Sequence, residues 1–153
     1  MGVRHRGREL AFQILFQCDQ TGDKVNAVIA RFQEMSRANA DAAAFAEDLA
    51  TGAFGSMNAI DALVRAAADN WKLERLLSVD RALLRLGGYE LAQRLDTPKE
   101  VVLDECINLA KTYGSEESAS FVNGVLDRLA RQLRPASGEA TGKPRPKSKV
   151  GKR

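Results

Sequence analysis

The stretch that decides the fold reads Phe121-Val122-Asn123-Gly124-Val125-Leu126-Asp127. Its apolar residues, followed by Leu129 and Leu133, recur at the spacing of a single helix face, which predicts a helix running through Asn123-Gly124. An Asn-Gly turn is the alternative, but the helical spacing continues in phase on both sides of the pair. Glycine inside a helix costs about 1 kcal/mol relative to alanine. We therefore expect Gly124 to be a packing residue that lets this last helix approach a neighbour closely.

The remainder of the chain has the same helical character. Proline is absent before residue 98, and no stretch alternates between apolar and polar residues as a half-buried strand would. The patterns predict helices at about 5–19, 25–37, 41–69 and 71–77, then one from near Ser78, one from near Pro98 and one from Ser115. The predicted fold class is therefore all-α, with about seven helices, and Ser115 is a suitable N-cap for the last of them.

Positive charge is concentrated at the two ends of the chain. Residues 1–8 carry three arginines and no acid, and residues 134–153 carry seven basic residues and one acid. Because the whole chain has a net charge of +3, the body over residues 9–133 is acidic, at −6. We expect one helical domain over residues 1–134 and a disordered basic tail over 135–153, with any nucleic acid bound at the ends. The tail is either an electrostatic arm for a polyanion or a solubilising segment without a partner.

Several classes of protein are excluded by the composition. No apolar run approaches the roughly 20 residues of a membrane span, and Glu9 and Gln13 interrupt what would be a signal peptide, so we expect a cytoplasmic protein without membrane contact. Cys18 and Cys106 lie in apolar helical patterns and are expected to be reduced core thiols. His5 is the only histidine, so no Cys/His cluster exists to hold zinc, and its place near the chain end gives little support to a Ser-His-Asp set. We expect no catalytic residue, no metal, no cofactor and hence no enzyme.

The first candidate site is the basic helix start. Arg4, His5, Arg6 and Arg8 lie within about one helical turn. Arginine presents a planar fork to phosphates and stacks on bases, so this segment predicts contact with nucleic acid. A frayed, solvated terminus is the alternative.

The first helix is also apolar on two opposite faces. At 100° per residue, Leu10 and Ile14 share one face, while Phe12 and Phe16 lie roughly opposite. Such a helix is either fully buried or held between the core and a partner. The second interpretation makes Phe12 and Phe16 candidate partner-binding residues.

A further candidate site lies at the start of the last helix, where Glu117, Phe121 and Asn123 follow one another at short intervals. An exposed phenylalanine can stack on an unpaired base, and an asparagine amide can pair with base edges. A core position is the alternative for Phe121, and the pattern leaves the two open.

With these residues assembled, the chain resembles the NusB family of bacterial transcription antitermination factors over about residues 4–133. The resemblance rests on the order and spacing of these landmarks: Arg6-Gly7-Arg8-Glu9-Leu10-Ala11, Trp71, Leu73, Val79-Asp80-Arg81-Ala82-Leu83-Leu84-Arg85-Leu86, Tyr89-Glu90-Leu91, Thr97-Pro98, Asp104-Glu105, Leu109-Ala110-Lys111 and the stretch 121–127. It implies a fold of two small helical bundles and a heterodimer with ribosomal protein NusE. It also implies that the pair recognises the boxA element of nascent RNA, joins a larger complex on RNA polymerase and suppresses premature termination, chiefly in ribosomal RNA operons.

The resemblance assigns roles by position. The family's arginine-rich RNA-binding start corresponds to four residues: Arg4, His5, Arg6 and Arg8. Its second RNA contact region corresponds to Glu117 and Phe121. Phe16 falls where an aromatic residue contributes to the functional face, and Asp80 where an acid supports the NusE interface.

Three features depart from the family pattern. His5 and Gly7 thin out the arginine cluster, Glu117 stands where aspartate is common, and the basic tail is longer than the family core requires. A protein-only interaction module, or an autoinhibited homodimer that hides the basic face, is the alternative function.

Overall fold

The computed structural model describes residues 2–69 and 72–135, and within these ranges the chain forms only helices, turns and connecting segments. The helices are α1 (Val3–Thr21), α2 (Val25–Arg31), α3 (Gln33–Arg37), α4 (Ala40–Gly55), α5 (Met57–Ala67), α6 (Ser78–Gln93), α7 (Lys99–Tyr113) and α8 (Glu116–Leu133), with a 3₁₀ turn at Leu73–Arg75. The all-α prediction is confirmed. The described residues hold eight α-helices, against about seven predicted.

The helices form two small bundles. In the first, α1, α2 and α4 pack on one another, and in the second, α6, α7 and α8 do the same. The two bundles join because α6 packs against both α1 and α4, while α5 lies against α6 and α8. Fully buried leucines from both bundles, including Leu10, Leu49, Leu83 and Leu126, form one continuous core. Burial of a leucine side chain contributes about 1.5–3 kcal/mol, so this core is the main source of stability.

Helix α1 is buried on both sides along its middle. Leu10 and Ile14 are fully inaccessible and Phe12 is only 2% exposed, whereas Phe16, one turn further on, is half-buried. Full burial therefore describes the middle of this helix, and a partly open aromatic surface begins at Phe16.

Two predicted long helices are divided in the structure. The predicted helix over 25–37 breaks at Phe32, whose backbone is extended, and the one over 41–69 breaks at Ser56. The predicted helix over 71–77 is a 3₁₀ turn at Leu73–Arg75, and Trp71 lies outside the described residues. Apolar spacing continued across these breaks, so it did not mark them.

The role predicted for Gly124 was wrong. A Cβ added at Gly124 would meet no atom of the described residues within 4 Å, and the residue is exposed. The close approach occurs instead at Gly87 of α6, where a Cβ would lie 2.7 Å from Leu126 Cδ1 and 3.0 Å from Cys106 Sγ. In α8 the residues facing the core are Val122, Val125 and Leu126, and Gly124 is on the other side.

The structure tests the predicted N-cap of the last helix but not the predicted tail. The predicted cap at Ser115 is confirmed, because its hydroxyl accepts a hydrogen bond from the Ser118 backbone N–H at 3.0 Å. The predicted tail over 135–153 lies outside the described residues except for Pro135. Across residues 2–69 and 72–135, no helix is long and apolar enough to cross a membrane.

Candidate RNA and partner interface

Arg8, predicted as an RNA contact, is part of the interior. Its Nε and Nη2 atoms each donate a hydrogen bond of 2.9 Å to the Glu90 carboxylate, and the two residues are 2% and 0% exposed. Burial alone would lower the pKa of Arg8, but the hydrogen bonds and charge of Glu90 outweigh it and hold the pKa above its ordinary value. Such bidentate pairs are strong and directional. Because its guanidinium is occupied and inaccessible, we remove Arg8 from the predicted RNA contacts and assign it to the joint between α1 and α6.

Arg4 lies at the surface above an aromatic ring. Its guanidinium carbon is 4.7 Å from the centroid of the Phe45 ring, and that of Arg94 is 5.8 Å from the same centroid. Arg94 also forms an ion pair with Asp48. Cation–π contacts of this kind contribute about 0.5–1 kcal/mol at exposed sites. Phe45 and Arg94 were missed in the sequence, because no local pattern links positions this far apart to the start of α1.

His5 and Arg6 each have an acidic neighbour. His5 Nδ1 lies 2.8 Å from Glu105 Oε1, and Arg6 Nη1 donates to Glu9 Oε1 at 2.8 Å. Glu9 also accepts a 2.7 Å hydrogen bond from the Tyr113 hydroxyl. Burial pushes the pKa of Glu9 upward, but the hydrogen bonds from Tyr113 and Arg6 outweigh it, so the pKa lies below its ordinary value. We call the exposed part of this region, Arg4 and Arg6, the arginine edge.

A groove of about 390 Å³ lies near Arg6, because Tyr113, which donates to the same Glu9 carboxylate as Arg6, is part of its wall. Its lining includes Phe12, Phe16, Phe32 and Tyr113, and we call it the aromatic groove. The Phe12 ring is 4.9 Å from Tyr113 and 6.1 Å from Phe16, centroid to centroid. Phe12 is 2% exposed and forms the floor, so a partner could reach it only through the groove, whereas Phe16 is half-buried on its wall.

A second groove, of about 440 Å³, lies between the segment leading into α6 and the start of α8. Asp80, Glu117, Ser118 and Phe121 line it, and we call it the Asp80 groove. Phe121 is half-buried and also packs on the core, so it is neither a full core residue nor a fully exposed one, and its contact with RNA stays a prediction. The exposed Leu77 stands at the rim.

Asp80 is the unusual residue of this groove. It is 6% exposed, and its Oδ1 atom is buried without a hydrogen-bond partner among the described residues, as is Ser118 Oγ. Burial raises the pKa of Asp80, and the nearby Ser118 hydroxyl offsets only part of this shift, although the two oxygens form no hydrogen bond of normal geometry. Buried polar atoms normally have partners, so two unpartnered oxygens side by side are an unusual feature of this groove wall.

Five of the predicted site residues divide between the two grooves. Phe12 and Phe16 meet in the aromatic groove, while Asp80, Glu117 and Phe121 meet in the Asp80 groove. The two grooves adjoin at the start of α6, because consecutive residues, Val79 and Asp80, line one each. Asn123 is exposed on α8, and it is not part of the lining of either groove. Nowhere in residues 2–69 and 72–135 do three His, Cys, Asp or Glu side chains gather as they would to hold a metal ion.

A helical scaffold with exposed arginines and two grooves is suited to binding a nucleic acid and a protein partner. The chain is a member of the NusB family, since the sequence model of that family matches residues 5–131. This family comprises transcription antitermination factors, which bind RNA, and not enzymes.

The relatives of known sequence support the same assignment. The transcription antitermination protein NusB of Sorangium cellulosum is 45% identical over 133 residues, which cover 87% of this chain and 95% of that protein. The NusB protein of Syntrophotalea carbinolica is 40% identical over 150 residues, covering 88% of this chain and 96% of its relative.

Solved structures have the same fold. NusB of T. maritima superimposes with a TM-score of 0.76 at 36% identity, covering 84% of this chain and 91% of that one. A chain in a crystal structure of the antitermination factors NusB and NusE in complex with dsRNA gives a TM-score of 0.78 at 29% identity, covering 86% and 98% of the two chains.

Proposed function

We propose that this chain is a transcription antitermination factor that binds boxA RNA together with ribosomal protein NusE. In this role it joins the RNA polymerase antitermination complex in the cytoplasm and suppresses premature termination, chiefly in ribosomal RNA operons. The observation that carries the proposal is that Arg6 is linked through Glu9 to Tyr113 in the wall of the aromatic groove, on a fold that belongs to the NusB family. The similarity to the crystallised NusB–NusE–dsRNA complex supports it further.

RNA phosphates would contact the arginine edge. Arg4 is exposed, and the Arg6 side chain is 38% exposed with one nitrogen held by Glu9. The remaining donors of each guanidinium face solvent and can receive phosphate oxygens, which position the strand without reading its sequence. Sequence preference then has to come from groups that meet bases.

Phe121 is the proposed base contact. Its ring packs partly on the core and partly lines the Asp80 groove, which holds it at a fixed orientation. Stacking of an unpaired base on a fixed aromatic ring contributes about 1–3 kcal/mol per base. Glu117 beside it can accept from base amino groups, and Asn123, exposed on the same helix, has both donor and acceptor atoms.

NusE is the proposed occupant of the deeper part of the Asp80 groove. The buried Asp80 carboxylate and Ser118 hydroxyl lack partners among the described residues, and a cationic or amide side chain of the partner would satisfy them. The exposed Leu77 at the rim and Phe16 in the adjoining aromatic groove would supply apolar contact.

The direct test is co-purification with NusE followed by titration with boxA RNA and a scrambled RNA of the same length. We expect a stable heterodimer and clear preference for boxA. Equal affinity for both RNAs, or no complex with NusE, would contradict the proposal.

The aromatic groove also favours a second candidate, the autoinhibited homodimer, because its apolar walls are open to a second copy of the chain. Sedimentation of the pure protein with and without RNA separates the two. A dimer that must dissociate before RNA binds supports the homodimer as a storage form, and a monomer under both conditions excludes it.

A further inference from the structure

One wall of the Asp80 groove is a short connecting segment that leads into α6. We call residues 73–77 the rim segment, because Arg75, Leu76 and Leu77 line the groove. After its 3₁₀ turn the backbone is extended at Leu76 and Leu77. Leu73 and Leu76 are 3% and 8% exposed, whereas Leu77 is 64% exposed. Burial therefore fixes two leucines of the rim segment but not Leu77, the one that a partner would meet first.

Arg81, in the first turn of α6, holds the backbone of the rim segment. Its Nη1 atom donates to the carbonyls of Leu73 and Leu76, at 2.8 and 3.1 Å. Its backbone N–H donates to the Leu77 carbonyl at 2.9 Å. Leu77 is the N-cap residue of α6 and makes no side-chain cap, so the start of this helix does not itself restrain the Leu77 side chain. The hydrogen bonds from Arg81 thus restrain the backbone on both sides of the Leu76–Leu77 peptide bond.

The same guanidinium is held by α1. Its Nε and Nη2 atoms donate to the two carboxylate oxygens of Asp19, at 3.1 and 2.6 Å. Burial pushes the pKa of Asp19 upward, but the hydrogen bonds and charges of Arg81 and Arg85 outweigh it, so the pKa lies below its ordinary value. Asp19 is therefore ionised at neutral pH, and such a bidentate pair fixes the plane of the guanidinium. Arg81 reaches the rim segment from a single, defined orientation.

Arg85, one turn further along α6, closely matches Arg81. It also pairs with Asp19, at 3.3 Å, and the side chains of Arg81 and Arg85 are 15% and 16% exposed. Its Nε and Nη2 atoms donate to the Asp61 carboxylate of α5 at 2.9 and 3.0 Å. The two arginines thus share an ion pair but differ in their second partner, which is the rim segment for Arg81 and α5 for Arg85.

We propose that Arg81 is a positioning residue of the Asp80 groove, which holds the exposed Leu77 where a protein partner contacts it. The proposal rests on the proposed function, in which NusE occupies this groove. A side chain that is ordered before binding loses less conformational entropy when the complex forms, so the affinity is higher. Arg81 is not part of the lining of the groove, and it acts on the partner through the rim segment.

The test compares Arg81→Gln with Arg85→Gln in titrations with NusE. Both variants lose an ion pair with Asp19, so urea denaturation should show similar losses of stability. Only Arg81→Gln should weaken the binding of NusE, by about tenfold, because only this variant releases the rim segment. Amide hydrogen exchange over residues 73–77 should accordingly be faster in Arg81→Gln than in Arg85→Gln.

A double-variant cycle tests whether Arg81 acts through Leu77. Leu77→Ala should weaken the binding of NusE to the otherwise unaltered protein. In the Arg81→Gln background the same substitution should cost much less, because a mobile Leu77 already contributes little. Substitutions that act independently have additive effects on the binding free energy. A purely structural role of Arg81 would therefore leave the effect of Leu77→Ala unchanged.

The outcomes separate the positioning role from the proposed function. Equal NusE affinities of Arg81→Gln and Arg85→Gln, or additive losses in the double variant, would overturn the positioning role alone. The absence of a complex between the unaltered protein and NusE would overturn the proposed function itself. If Arg81→Gln does not fold, Arg81→Lys and Arg85→Lys provide the same comparison. Lysine keeps the charge beside Asp19 but lacks the planar fork that reaches the carboxylate and the carbonyls together.

Discussion

The two helix starts assigned to RNA carry opposite charge. Helix α1 begins with Arg4 and Arg6 and has no acid in its first turn, whereas α8 begins with Glu116 and Glu117 beneath the Ser115 cap. Acids at a helix start are favourable and cations there are unfavourable, by about 0.3–1 kcal/mol each. The start of α8 is thus explained by helix stability, while the start of α1 opposes it. The start of α1 is therefore suited to phosphates, whereas the acidic start of α8 is better suited to bases or to a protein partner.

The largest expected effect is on stability, and it distinguishes the buried Arg8 from the exposed Arg4. Arg8→Ala should lower the free energy of unfolding by about 3–5 kcal/mol, because it leaves the fully buried Glu90 carboxylate without its partner. Arg4→Ala is the control and should change stability by less than about 1 kcal/mol. Urea denaturation followed by circular dichroism measures both. If both variants lose only a little free energy of unfolding, Arg8 is not the buried structural residue described here.

The next effect concerns RNA. Replacing Arg4 and Arg6 together by alanine should weaken boxA binding about tenfold at low salt, or about 1.4 kcal/mol. The salt slope should fall by roughly 0.7 for each phosphate left without its arginine. Fluorescence titration at several salt concentrations gives both quantities. Glu116→Ala at the start of α8 is the matched control and should not weaken binding. An unchanged salt slope in the double variant would show that Arg4 and Arg6 do not contact RNA phosphates.

A smaller effect tests the outer side of α8. Gly124→Ala should raise the free energy of unfolding by up to about 1 kcal/mol, because the residue is helical and its missing Cβ faces open space. Gly87→Ala should instead lower it by about 1–3 kcal/mol, since the new Cβ would press on Leu126. Thermal melts compare the stabilities of these two variants with that of the unaltered protein. If Gly124→Ala destabilises the protein, α8 has a neighbour on that side in solution.

The smallest effect concerns the acid next to the start of α8. Burial raises the pKa of Asp80 in the folded protein above its unfolded value, near 3.9. The folded state therefore holds the proton more tightly, and stability falls as the pH rises from about 4 through the raised pKa. Asp80→Asn should be more stable than the unaltered protein at pH 7, and this advantage should shrink as the pH falls through the raised pKa toward about 4. A constant difference across this range would show that Asp80 does not titrate as its burial indicates.

The helical class was predictable from sequence because it depends on local spacing. The same spacing accounts for the buried middle of α1 and for the Ser115 cap, both of which involve residues within a turn or two of each other. It also contained the signal for Gly124, which falls on the opposite side of α8 when Val122 and Leu126 are placed toward the core.

The features of the site that were not predicted depend on contacts between residues far apart in the sequence. Arg8 has the local sequence of a surface cation, but its partner, Glu90, lies 82 residues away in the chain. Phe45 joins Arg4 and Arg94 from another helix, and Arg134 reaches the turn that carries residue 94. No local pattern in the chain distinguishes an arginine that faces a buried carboxylate from one that faces solvent.

One buried sulfur atom has a practical consequence. Cys106 is 0% exposed, its Sγ lies 4.0 Å from the Leu83 carbonyl oxygen, and burial raises the pKa of its thiol far above the ordinary value. Only the thiolate reacts with alkylating reagents. Its modification therefore has to wait until α7 separates from α6, near the Arg8–Glu90 pair. The rate of Cys106 alkylation therefore reports how often α7 separates from α6. Mass spectrometry measures this rate on the unaltered protein.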